Sequence, residues 1–192
     1  MDQKALTEAY KAAEKALIEA QRTDLPYGVR EGSPPIAPWP TAPCKLVFLD
    51  IDGVLNCDLS ISQLGTRYKF WPASIKALNE FLLESDARVV ISSTWREHWT
   101  LSEIASALES AGLRSGRVVG KTCVSGGERG IEIDSWLKSV PYPVESFVIL
   151  DDKDDMAMHR NRLIQVDSRS GLSTRDVRQA IGLLAPNKPL PK

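Results

Sequence analysis

Lys45-Leu46-Val47-Phe48-Leu49-Asp50-Ile51-Asp52-Gly53-Val54-Leu55-Asn56 is the stretch on which the fold turns. Leu46 to Leu49 are apolar without alternation, the pattern of a strand buried on both faces of a parallel sheet. Open α/β sheets bind ligands at the carboxyl ends of such strands. Asp50 and Asp52 stand two apart, so in an extended chain their side chains leave on one side. Gly53 then allows a turn that other residues resist. Two carboxylates beside an apolar strand are costly unless solvated, hydrogen-bonded or neutralised. A hard divalent cation with oxygen ligands, magnesium, is the simplest resolution. The competing reading is a solvated strand-to-turn connection, because Asp and Gly are ordinary turn residues. An EF-hand calcium loop needs glycine sixth and glutamate twelfth, but here glycine comes fourth and Ile61 twelfth.

Further strands end in chemistry-bearing residues. Val89-Val90-Ile91 reads as a second buried strand, reached through a helix that begins near Pro72 and carries Ile75, Leu78, Phe81 and Leu82 on one face. It ends in Ser92-Ser93-Thr94-Trp95-Arg96. A hydroxyl there can donate to a phosphoryl oxygen, and Ser92, directly after the apolar run, is preferred over Ser93. Arg96 offers a planar fork suited to phosphate on a substrate; a solvated ion pair with Glu97 or Glu103 is its alternative. Thr100 and Glu103 form a capping box for a helix running to Ala111, and Val118-Val119 gives a third strand. The loop from Lys121 to Gly130 holds two candidate phosphate-binding cations, Lys121 and Arg129. An arginine at a helix start opposes the macrodipole unless an anion lies nearby, which favours Arg129. Phe147 to Leu150 is a fourth strand, ending in Asp151-Asp152-Lys153-Asp154-Asp155. So many carboxylates at a strand end repel one another, and a divalent cation relieves them. Leu163 to Val166 gives a fifth strand, and Ser173 with Asp176 caps a last helix that Pro186 ends.

Phe48 to Asn56 resembles the first motif of the haloacid dehalogenase (HAD) superfamily, whose phosphatases carry Asp-x-Asp-Gly-Thr/Val after the first strand. The later strand ends resemble its second, third and fourth motifs. The resemblance implies a three-layer, Rossmann-like α/β fold over roughly residues 44–185, with a mainly parallel sheet of order 5-4-1-2-3 and a minimal cap. It also implies that Asp50 is the nucleophile, Asp52 the general acid and base, and magnesium the cofactor. The metal shell is then expected from Asp50, Asp52, Asp151 and Asp152, with Asp155 as an outer ligand. Ser-Ser-Thr-Trp-Arg, Arg-Gly-x-Glu-Ile-x-x-Trp-Leu and Ile-Leu-Asp-Asp are similar to the subgroup found in Swiss Army Knife RNA repair proteins.

With 192 residues, the chain has room for one such domain and an extension. Residues 1–24 read as an amphipathic helix with Leu6, Tyr10, Ala13 and Leu17 on one face, able to pack on the domain or to build an oligomer. A proline-rich linker follows over 25–43, then the catalytic domain over 44–186 and a tail over 187–192. The net charge of −1 supplies no global attraction to nucleic acid or to an anionic membrane. No apolar run has the length of a membrane span, and the amino terminus lacks a signal-peptide pattern, so a cytoplasmic protein without a membrane partner is expected. Cys44, Cys57 and Cys123 have neither zinc-site nor disulfide spacing; Cys57 reads as a small loop residue, with a reactive thiol as the alternative.

Together these readings predict a magnesium-dependent phosphomonoesterase working through an aspartyl-phosphate. The short polar stretch from Asn56 to Phe70, Arg96, Trp95, Trp99 and the basic run from His159 to Arg178 lean toward a nucleic-acid terminal phosphate, such as a 3′ end, or a nucleotide. A small-metabolite phosphatase and a non-catalytic phosphate-binding or adaptor module are the alternatives.

Overall fold

The computed structural model describes residue 40 and residues 42–185, so the expected amino-terminal helix, most of the linker and the tail lie outside the described residues. Five strands form one parallel sheet: β1 (Cys44–Leu49), β2 (Arg88–Ile91), β3 (Val118–Lys121), β4 (Val144–Asp151) and β5 (Leu163–Gln165). Their order is β3-β2-β1-β4-β5, as expected, with every neighbouring pair parallel. The aspartate-bearing strand is therefore central, flanked by the strands that end in Ser92 and Asp151.

Leu46, Val47, Phe48 and Leu49 are fully buried because β1 is covered on both faces. Val47 and Leu49 point into one core with Val89 and Ile91, under helices α2 (Pro72–Ser85), α4 (Leu101–Ser110) and α6 (Thr174–Leu184). Leu46 and Phe48 enter the other, with Ile133 and Trp136 of α5 (Arg129–Ser139). There Phe48 meets Trp136 and Phe147 edge-on, with ring centroids 5.5 and 5.6 Å apart. Burying such side chains contributes about 1.5–3 kcal/mol each, enough to hold the strand straight while its end carries acids.

Two capping boxes read from the sequence, Thr100 with Glu103 and Ser173 with Asp176, are present. A third was not expected. Cys57 is buried and caps α1 (Asp58–Leu64), accepting from the Ser60 amide at 3.4 Å while the Ser60 hydroxyl accepts from the Cys57 amide. A short helix, α3 (Trp95–His98), and a 3₁₀ segment, Ala157–Arg162, complete the described chain.

Candidate active site

The site assembles where parallel pairing aligns three strand ends. The Asp50 amide donates to the Leu150 carbonyl at 2.9 Å, and the Ser92 amide to the Leu49 carbonyl at 2.8 Å. This brings Asp50, Ser92 and Asp151 to the same sheet edge. Asp50, Asp151 and Asp152 each offer a carboxylate oxygen within 4.8 Å of the others. At that spacing two ionised carboxylates repel by about 3–4 kcal/mol at an effective dielectric of 20. One cation of the protein answers them: Arg129 Nη1 lies 3.1 Å from Asp50 Oδ1 and 3.0 Å from Asp151 Oδ2, and also donates to the Ser92 carbonyl.

Burial pushes Asp50 up from the ordinary carboxylate range, against the pull of Arg129, the Ser93 hydroxyl and the Ile51 amide. Asp151, fully buried, is pushed up to about 8 by desolvation and by the charge of Asp50, which Arg129 and the Lys153 amide only partly oppose. The cluster is thus short of positive charge. Asp152 Oδ1 is also buried without a hydrogen-bond partner. Oxygen-only donors, excess negative charge and an orphaned acceptor fit a hard divalent cation.

Gly53 and Gly130 permit this closeness. Gly53 has φ +83°, and a Cβ there would lie 2.7 Å from Asp152 Cγ. A Cβ on Gly130 would collide with the Met156 carbonyl group. Without it, the Gly130 amide donates to the Asp155 carbonyl at 3.1 Å, and the start of α5 seats Arg129 beside the aspartates.

Several expected residues stand differently. The Asp52 side chain lies outside the carboxylate cluster of Asp50, Asp151 and Asp152. Its Oδ1 accepts from Asn56 Nδ2 at 2.7 Å and its Oδ2 from the Trp95 indole at 3.1 Å. The Ser93 hydroxyl bonds Asp50, while the hydroxyl of Ser92, the preferred phosphate donor, is buried and unpartnered. Lys121 is turned to backbone, donating to the Arg96 and Trp99 carbonyls at 2.9 and 3.0 Å.

Arg96 is not paired with Glu97 or Glu103. It is buried against Glu132, whose Oε1 accepts from the Ser125 amide at 2.7 Å. Trp95 and Trp99 are buried too, with stacked rings 5.9 Å apart. The carboxy-terminal basic run is not a continuous track. His159 and Arg162 are buried, while Arg160 and Arg169 are paired with Asp154 and Asp167. The sequence reading missed Asn56 and Trp95 as partners of Asp52; an amide four residues after an acid was the available signal for the first.

The family described as the HAD domain in Swiss Army Knife RNA repair proteins matches residues 46–177, a span from the first residues of β1 into α6. The chain belongs to this family. With the Asp50–Asp151–Asp152 cluster in place, this HAD domain is a phosphatase-type enzyme. No curated protein matches its sequence. No helix among its described residues is long and apolar enough to cross a membrane.

Proposed function

We propose that the chain is a magnesium-dependent phosphomonoesterase that forms an aspartyl-phosphate on Asp50 and acts on terminal phosphates of nucleic-acid strands. The observation that carries the reading is Arg129 between Asp50 and Asp151, 3.1 and 3.0 Å away, with Asp152 completing an acidic triad. The family's description, which names RNA repair proteins, supports the substrate class.

Asp50 attacks phosphorus as a carboxylate nucleophile, and the bond from phosphorus to the leaving oxygen breaks. Asp52, held by Asn56 and Trp95, gives that oxygen its proton. It then takes a proton from water, which attacks the phosphorus, releases inorganic phosphate and regenerates Asp50. Arg129 and Ser93 orient Asp50 and favour its ionised form against burial. Asp50, Asp151 and Asp152 would hold the cation, which supplies charge neutralisation between carboxylate and phosphate when bound. The three cysteines are free thiols, which supports a reducing, cytoplasmic setting.

Turnover of an aryl phosphate with and without magnesium, by the native protein and by Asp50→Asn, tests the chemistry. Magnesium-dependent release abolished in the variant is expected. Phosphate binding without turnover would replace the reading by a binding module. Faster hydrolysis of a 3′-phosphorylated oligonucleotide than of mononucleotides or sugar phosphates is expected; the reverse order would make it a small-metabolite phosphatase.

A further inference from the structure

In the reaction just described, the phosphoryl group sits at Asp50 and the leaving oxygen at Asp52, so the surroundings of Asp52 border the leaving group. Asn56 Nδ2 donates to Asp52 Oδ1 at 2.7 Å and to the Arg67 carbonyl at 2.5 Å. One side-chain amide therefore joins the acid to the loop between α1 and α2. The other carboxylate oxygen is held by the Trp95 indole, and Tyr68 packs on that ring with centroids 6.1 Å apart. The run Arg67-Tyr68-Lys69 is thereby fastened to Asp52 from two directions.

Its cations differ from most others near the site; Lys121, turned to two carbonyls, and Lys153, beside Asp152, likewise lack a carboxylate among the described residues. Arg129 is matched by Asp50 and Asp151, Arg96 by Glu132, Arg160 by Asp154 and Arg169 by Asp167. Arg67 is exposed and Lys69 half-buried, and among the described residues neither has a carboxylate partner. The run fastened beside Asp52, on the leaving-group side of the site, thus carries two positive charges with no carboxylate partner. They favour a leaving group that is itself an anion, which the carboxylates alone would repel.

We propose that Arg67 and Lys69 form a subsite for a second phosphate, the one adjoining the scissile phosphate along a nucleic-acid strand. The proposal rests on the phosphatase reading above and deepens it. A strand end is then selected over a mononucleotide by the charge of its last internucleotide linkage.

The test alters that charge on both partners. The substrates are a 3′-phosphorylated oligonucleotide and the same strand with its last internucleotide linkage made a neutral methylphosphonate. In the native protein, neutralising the linkage is expected to lower kcat/KM about tenfold. In Arg67→Gln/Lys69→Gln the two strands should be used equally. The log–log salt dependence should become shallower by about 0.7 for each lost single-strand phosphate contact. Equal use of both strands by the native protein, or undiminished discrimination by the variant, would overturn the subsite. An aryl phosphate run alongside separates the failures. If the native protein hydrolyses it, only the subsite falls; if not, the phosphatase reading falls and takes the subsite with it.

Discussion

Asp151 holds its proton up to about pH 8 in the cation-free protein, whereas an unfolded aspartate releases it near 4. Between those values the folded chain binds more protons than the unfolded one, so this residue makes the cation-free protein lose stability as pH rises. A cation requires the ionised carboxylate and expels the proton. Magnesium affinity measured by calorimetry is therefore expected to tighten by up to about tenfold per pH unit from 6 to 8, with proton release; a flat profile would contradict the site. Asp52 makes a separate prediction. Asp52→Asn should slow an alkyl phosphate, whose leaving group needs a proton, by about 100-fold or more, and an aryl phosphate less. Trp95→Phe, which removes the indole donor to Asp52 together with part of the ring packed on Trp99 and Phe70, should lower kcat about tenfold, comparable to one hydrogen bond of about 1.4 kcal/mol. An equal loss of folding stability and no change in kcat would show the indole to be structural alone. That the Asp52 side chain stands apart from the carboxylate cluster could not be read from Asp-x-Asp spacing, because β1 ends at Leu49 and the extended geometry that puts both side chains together does not run on through Asp52.

The elements around the site are locked by two contacts between distant parts of the chain. Arg96, just beyond β2, and Glu132, on the first turn of α5, form a buried ion pair. Losing one partner of such a pair leaves a buried charge and costs about 3–5 kcal/mol, while apolar replacement of both is far milder. Denaturant unfolding should therefore show Glu132→Gln less stable than Arg96→Met/Glu132→Leu. Gly130→Ala should push α5 off the Met156 backbone, cost about 1–3 kcal/mol as overpacking does, and weaken phosphate affinity by moving Arg129. A folded variant with unchanged phosphate affinity would break that link. Strands and their acidic ends were legible because both-sided burial writes an unbroken apolar run. The Arg96 pair was not: its partner lies 36 residues away, and local reading offered nearer glutamates. Helix α1 was missed because a cysteine thiol caps it, in place of the usual hydroxyl or carboxylate.

At the scale of the molecule, the sheet order followed from the family resemblance, and the two cores followed from the alternation of Leu46 and Phe48 with Val47 and Leu49 across β1. We propose residues 44–186 as a domain that folds without residues 1–43. Deleting residues 1–43 is expected to leave one cooperative unfolding transition and magnesium-dependent turnover; lost cooperativity would make the amino-terminal arm part of the fold. Gly53 gives this architecture a further meaning. The space its missing methyl leaves is filled by Asp152, so the loops after β1 and β4 interlock with no slack between them. The distance from catalyst to mere phosphate binder is then one carbon atom. Gly53→Ala would part the carboxylates while leaving the sheet and both cores intact, converting turnover into occupancy.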